Sequence, residues 1–367
     1  MSGAVRMKNV FNTFLVALMS VSIAWSIPLD SGRYVSLNPK GYLCRRTAKP
    51  IIIDGELNDA SWDNASWTDD FVDIEGNEKP KPRFRTRVKM LWDDRYLYVG
   101  AELEEPHIWA TLLRRDTVIF YDNDFEIFID PNGDNHEYYE FEMNAYNTGW
   151  DLFLPKPYRD GGSARDDWDI IGLKTAVHID GTINDPQDTD RGWSLEMAIP
   201  WSALKEYART SSPPNEGDRW RINFSRVEWI TDIVNGKYQK VKDRKEDNWV
   251  WSPQGVINMH CPEQWGYVQF ARAEAGKAQF VPDPSLPARE ALINVYYAQK
   301  KYFELHKKYA VDFSRLLLPH PHFTHKNISG FRMKLTDEGF TAFVTLKTIT
   351  GKTERWSIGQ DSKIRKQ

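Results

Sequence analysis

Side chains able to do chemistry are densest in the block Phe120-Tyr121-Asp122-Asn123-Asp124-Phe125-Glu126-Ile127-Phe128-Ile129-Asp130-Pro131-Asn132-Gly133-Asp134 and in Tyr138-Tyr139-Glu140-Phe141-Glu142-Met143-Asn144-Ala145 just after it. Side chains alternate along a strand. If Phe125, Ile127 and Ile129 face one way, Asp124, Glu126 and Phe128 face the other, and Glu140, Glu142 and Asn144 alternate likewise on the next strand. The Pro-Asn-Gly-Asp turn would bring carboxylates and an amide onto one sheet face. Such groups exchange hydrogen bonds with sugar hydroxyls, and flanking aromatics can stack on a sugar ring. The same pattern also suits the solvated outer face of a sandwich, so both readings stand. A carboxylate pair drawn from Glu126, Glu140 and Glu142 would serve a glycoside hydrolase, whose acid–base chemistry needs no local motif.

Metal chemistry has weaker signals. Asp130, Asn132 and Asp134 offer oxygens at alternate positions, as calcium loops do. The later Gly and twelfth-position Glu of an EF-hand are missing, and a plain Asp-rich turn competes. Asp122, Asn123 and Asp124 are a second calcium candidate. His320 and His322, in a Pro-rich stretch that ends at His325, would share a face if extended and suit a transition metal, against the reading of a solvated loop. No cofactor beyond a structural calcium is expected. Phosphate loops, dinucleotide fingerprints, nucleophile elbows and zinc-protease helices do not occur.

Elements able to position these groups are short strands. Phe84-Thr86-Val88-Met90, Leu97-Val99-Ala101-Leu103, Trp193-Leu195-Met197-Ile199 and Trp220-Ile222-Phe224 all have period two. Turn residues at Asp93-Asp94 and Asp180-Gly181 separate strands, and helical stretches are nearly absent up to residue 271. This predicts an all-β fold, an antiparallel β-sandwich over 49–271, after an N-terminal segment 27–48. A Pro-marked linker (272–288) leads to a small α+β appendage (289–367). There Leu292, Val295, Tyr296, Tyr302 and Leu305 form the apolar stripe of a helix, and Phe340-Ala342-Val344-Leu346 a strand of a hairpin.

Arg6 and Lys8 precede an apolar run ending at Ala24-Trp25-Ser26, the pattern of a signal peptide cleaved near residue 26. The expected location is secreted or periplasmic, with no membrane span in the mature chain. Cys44 and Cys261 form either one bridge or two separate buried thiols. The net charge of -4 argues against a nucleic-acid partner. The 15 Trp, 16 Tyr and 18 Phe suit both a core and a surface that stacks on flat ligands or sugars.

Four segments in order resemble family 9 carbohydrate-binding modules: Ile53-Asp54-Gly55-Glu56-Leu57-Asn58-Asp59 with Trp62, Leu91 to Val99, Asp124 to Asp130, and Pro262 to Val268. Their order and spacing agree over roughly residues 45–271, closest to a secreted bacterial branch with a similar helical tail. The resemblance implies a jelly-roll-like or immunoglobulin-like sandwich that binds saccharides, often beside glycoside hydrolases. It also implies two aromatics clamping a sugar, helped by a Glu, an Arg and an Asn. The Glu falls on Glu126 and the Asn on Asn144. The Arg falls on Glu142, a charge reversal. The first aromatic falls on Phe120 or Tyr121, where a Trp is usual, and the second on Trp251, with His260 nearby. Trp109, a core residue or a platform, precedes the block. Within the wider superfamily a haem could lie between Met143 and His260. A non-catalytic scaffold among envelope proteins is a further expectation, because the tail has no assigned role.

Overall fold

A computed structural model of the chain describes residues 38–208, 211–272, 277–316, 318 and 325–367. The signal-peptide reading of residues 1–26, His320 and His322 lie outside the described residues.

The strands are β1 (Gly41–Arg46), β2 (Val72–Asp73), β3 (Thr86–Trp92), β4 (Tyr96–Glu104), β5 (Asp124–Asp130), β6 (Tyr138–Asn144), β7 (Gly149–Leu154), β8 (Lys174–Asp180) and β9 (Gly192–Pro200). The alternating segments named above form strands, and β1, which lies before the expected sandwich start at residue 49, belongs to the same sheet, so that start moves to residue 41. A single helical turn, α1 (Trp201–Leu204), precedes β10 (Arg219–Glu228), β11 (Thr231–Val234), β12 (Lys237–Lys240), β13 (Asp247–Val250) and β14 (Gly266–Ala271). Paired strands run β7-β6-β5-β10-β14-β1-β3-β4-β9-β8, with β13 beside β10 and β2 beside β13. All these pairings are antiparallel except those of β1, which lies parallel to both β14 and β3 and links the two layers.

The core lies between the layers. Val88, Met90, Val99, Ala101, Leu195, Met197 and Ile199 of one layer meet Phe125, Ile127, Ile129, Phe141, Met143, Ile222, Phe224, Val268 and Phe270 of the other. This face is the odd-numbered one on β5 and β6, as the alternation predicts. The even-numbered face is not solvated: every residue of both strands is buried.

The appendage begins earlier than its periodicity suggests. Helix α2 spans Leu286–His306, and Pro287 sits in its first turn, where a missing N–H costs no helical hydrogen bond. It buries Leu292, Val295 and Tyr296, while Leu305 stays exposed. The expected hairpin is a four-stranded sheet, β15 (Ile328–Thr336), β16 (Gly339–Lys347), β17 (Thr353–Gly359) and β18 (Ile364–Lys366). Helix and sheet share a second core around Phe340, Val344 and Ile358. The appendage docks on the turn between β5 and β6: Ile364 N–H donates to the Asp134 carbonyl at 3.0 Å, and Asn135 Nδ2 to the Ser362 carbonyl at 3.1 Å. No helix among the described residues is long and apolar enough to cross a membrane.

The two cysteines are free and buried in different places. Cys44 lies in the sandwich core opposite Phe270, whereas Cys261 opens the turn before β14, near Glu263 and Arg159. The bridge alternative is therefore corrected to two separate thiols, and burial pushes the Cys261 pKa up to about 12.

Candidate functional site

Register brings the acids together. Across β5 and β6, Asp124 stands opposite Asn144, Glu126 opposite Glu142 and Phe128 opposite Glu140. Across β5 and β10, Glu126 stands opposite Ser225, and across β6 and β7, Glu142 stands opposite Trp150. Like charges in direct opposition destabilise a sheet unless something compensates. Glu142 Oε2 accepts from Phe120 N–H at 3.1 Å, and Asp124 Oδ1 from Val227 N–H at 3.1 Å. Burial pushes the Glu126 pKa up to about 7. It holds Asp124, Glu140 and Glu142 well above the usual carboxylate range, reinforced by the charge of Glu126.

Asn144 is placed in the row but is already committed. Its Nδ2 donates to Asp122 Oδ2 at 2.9 Å and to the Leu112 carbonyl at 2.8 Å, and its Oδ1 accepts from Tyr146 and Thr148 N–H. Asp122 in turn accepts from Thr111 and Leu112. The amide expected to contact sugar instead pins the loop in front of the acids.

Aromatic rings gather beside the row. Tyr121 is 55% exposed and Phe120 half-buried, with ring centroids 4.9 Å apart. Trp229, just after β10, donates from Nε1 to the Phe120 carbonyl at 2.9 Å and from its N–H to Asn123 Oδ1 at 2.7 Å. Lys240 Nζ on β12 lies 3.4 Å from the Trp229 ring centroid, 5.6 Å from Tyr121 and 5.7 Å from Trp109. Trp109 itself is buried. On the other flank Trp150 is half-buried, and its Nε1 has no hydrogen-bond partner among the described residues. Tyr158, 40% exposed, feels the charges of Glu140 and Glu142.

Trp251 is not a platform. It is 1% exposed, packs edge-on against Tyr42 and tilts against Phe224 inside the core. A Cβ on Gly266 would come within 2.3 Å of its ring, so a glycine is needed there for the indole to fit. His260 reaches the acidic row through aromatic rings: its Nδ1 lies 3.0 Å from Tyr138 Oη, and its ring meets Tyr158 and Phe128 edge-on.

Met143 and His260 do not converge, because Met143 points into the core between the layers while His260 packs on Phe128 and Tyr138, on the opposite face. The haem expectation falls with that geometry.

The Asp130–Asp134 loop spends its oxygens internally. Asp130 accepts from Gly133 and Asn135 N–H, Asn132 from Asp134 N–H, and Asp134 from His136 N–H. The loop is an appendage dock rather than an open calcium cradle. Of Asp122, Asn123 and Asp124, the first two hold loop backbone and only Asp124 joins the acidic row.

Trp229, Trp150, Tyr158 and Lys240 were not singled out by their spacing. Trp150 carried a signal, because it alternates with Asp151 right after the Asn147-Thr148 turn. Trp229 carried none, since its position depends on how β10 ends against Phe120.

A family model described as "Carbohydrate family 9 binding domain-like" matches residues 53–252. Exoglucanase XynX of Acetivibrio thermocellus is 28% identical over 154 residues, 42% of this chain and 12% of that protein. Endo-1,4-beta-xylanase A of Thermoanaerobacterium saccharolyticum is 29% identical over 154 residues, 42% of this chain and 11% of its own length. The chain thus spans about an eighth of the length of these curated relatives. Among solved structures, a family 9 carbohydrate-binding module from Caldicellulosiruptor kristjanssonii in complex with cellotriose is similar at 16% identity and a TM-score of 0.42. That similarity covers 66% of this chain and 100% of the module.

Proposed function

Because the chain belongs to the carbohydrate family 9 binding domain-like family, we propose that it is a non-catalytic saccharide-binding protein of the cell envelope or the surrounding medium, engaged in polysaccharide recognition or catabolism. The observation that carries this reading is the exposed Tyr121 ring beside Trp229, next to a buried carboxylate row that includes Glu126. Aromatic faces bury the C–H surface of a pyranose, and a few fixed polar groups orient it. The sugar contacts are assigned to Tyr121, Phe120, Trp229 and Glu126, with Trp150 Nε1, unpartnered among the described residues, a donor opposite Glu142. The basic, apolar stretch before Ser26 supports export, and glycoside hydrolases or envelope proteins are the fitting partners.

A hydrolytic reading draws on one specific feature. Glu126 and Glu142 are close, and burial pushes the Glu126 pKa up to about 7, in the range of a catalytic acid. A glycan array on the whole chain, with calorimetry on the hits, tests the binding reading: Trp229→Ala and Tyr121→Ala should each weaken binding by tenfold or more. An array with no hits sinks it. New reducing ends from polysaccharide, abolished by Glu126→Gln, would favour the hydrolase instead.

A further inference from the structure

Four carboxylates crowd one dry stretch of β5 and β6. Asp124, Glu126, Glu140 and Glu142 are all buried, and oxygens of Asp124, Glu126 and Glu142 lie within 4.8 Å of one another. Among the described residues none of the four forms an ion pair with a Lys or Arg. Arg226, on the adjacent β10, is committed to Glu105 at 2.7 Å and Glu228 at 3.0 Å. Burying several acids without a counter-charge is costly, so something positive has to enter, either protons or a cation.

A separate observation points to a ligand. Asp124 is 0% exposed; its Oδ1 is held by Val227, but no donor among the described residues reaches Oδ2. Glu140 Oε2, on the neighbouring strand, is equally without a donor. Another trio, Asp116, Asp151 and Asp169, gives the contrast. Its cation is already present as Arg115, whose Nη2 lies 2.5 Å from Asp151 and 3.2 Å from Asp169.

We propose that Asp124, Glu126 and Glu142 bind one divalent cation of the hard, oxygen-seeking class, with calcium the best fit and Glu140 alongside. Opposed calcium ligands sit about 5 Å apart, at twice the usual metal–oxygen distance. A spread within 4.8 Å therefore needs little rearrangement. Magnesium holds several waters reluctantly given up, which a dry site disfavours. No thiol or imidazole is in the trio to draw zinc. The cation would lie beneath the proposed sugar contact at Glu126, so the inference deepens the saccharide reading and rests on the same site.

The test uses the full chain, stripped with chelator and titrated with calcium chloride in the absence of sugar. Calorimetry should show one saturable site, thermal unfolding should rise with calcium, and terbium should luminesce when the neighbouring indoles are excited. Asp124→Asn and Glu142→Gln should weaken calcium at least tenfold. Both remove one of several mutually repelling charges, so both should still fold, as their unfolding curves in chelator would show. Asp169→Asn should bind calcium like the wild type. No heat and no thermal shift in the wild type would mean that protons alone neutralise the row, and would overturn the proposal. Wild-type calcium affinity in Glu142→Gln would overturn it as well. A separate saccharide titration with and without chelator keeps the two readings apart: calcium binding without any sugar binding would refute only the saccharide function.

Discussion

Burial leaves His260 uncharged. With Tyr138 and Tyr158 around it and Arg159 nearby, its pKa is pushed down to about 3. An unfolded imidazole takes its proton near 6.5, so between those values the unfolded chain binds more protons than the folded one. The stability that the neutral ring contributes is whole above about pH 6.5 and is lost as pH falls toward 3. The advantage of wild type over His260→Gln in urea unfolding should therefore shrink from pH 7 to pH 4. An advantage that grows on acidification would contradict this. Trp251 acts at the same scale, but only through packing. Trp251→Ala should cost about 3–5 kcal/mol in denaturant unfolding, because the core around Tyr42 and Phe224 cannot close over the space left. A loss of saccharide affinity with unchanged stability would show that the indole reaches the ligand after all.

At the scale of elements, the β11–β12 hairpin delivers Lys240 onto Trp229. The ammonium sits 3.4 Å from the ring centroid, on one face of the indole. A sugar stacking on that face has to displace a cation–π contact worth about 1 kcal/mol. Lys240→Ala should then tighten saccharide binding roughly fivefold by calorimetry. Weaker binding would instead place the ammonium among the sugar's own contacts. Strands β5 and β6 work differently: one face packs the core and the other holds the acids, so their alternation separates stability from chemistry.

For the whole molecule, the sandwich and the appendage share buried polar contacts. Asp160 accepts from Tyr296 Oη and Ser362 Oγ, each at 2.6 Å, and Lys300 Nζ lies 2.9 Å away. Arg159 pairs with Glu263 at 2.8 Å, and Tyr297 donates to the same Glu263 carboxylate. Asp160→Asn should destabilise the chain by about 2 kcal/mol in denaturant unfolding, since it leaves buried donors and part of a charge uncompensated. A negligible change would mean that the appendage is held by its apolar contacts alone. The turn read as a calcium candidate is part of this junction, which places the appendage at the turn end of the strands carrying the acidic row.

Period-two patterning was enough to mark β3, β4, β5, β6, β9 and β10, the inward-facing residues from Phe125 to Met143, and the turn of Asp124, Glu126, Glu140 and Glu142 away from them, because alternation sets which way a side chain points within a strand. The four motifs were enough to place the family. What lies on top of those acids was decided only in three dimensions. Asn144 meets Asp122, 22 positions away, and Trp229 reaches Phe120 across 109 positions. Trp251 turns inward because Gly266, on another strand, leaves room for it. Such long-range contacts obey no local period, so the acids could be read from the chain but the rings that flank them could not.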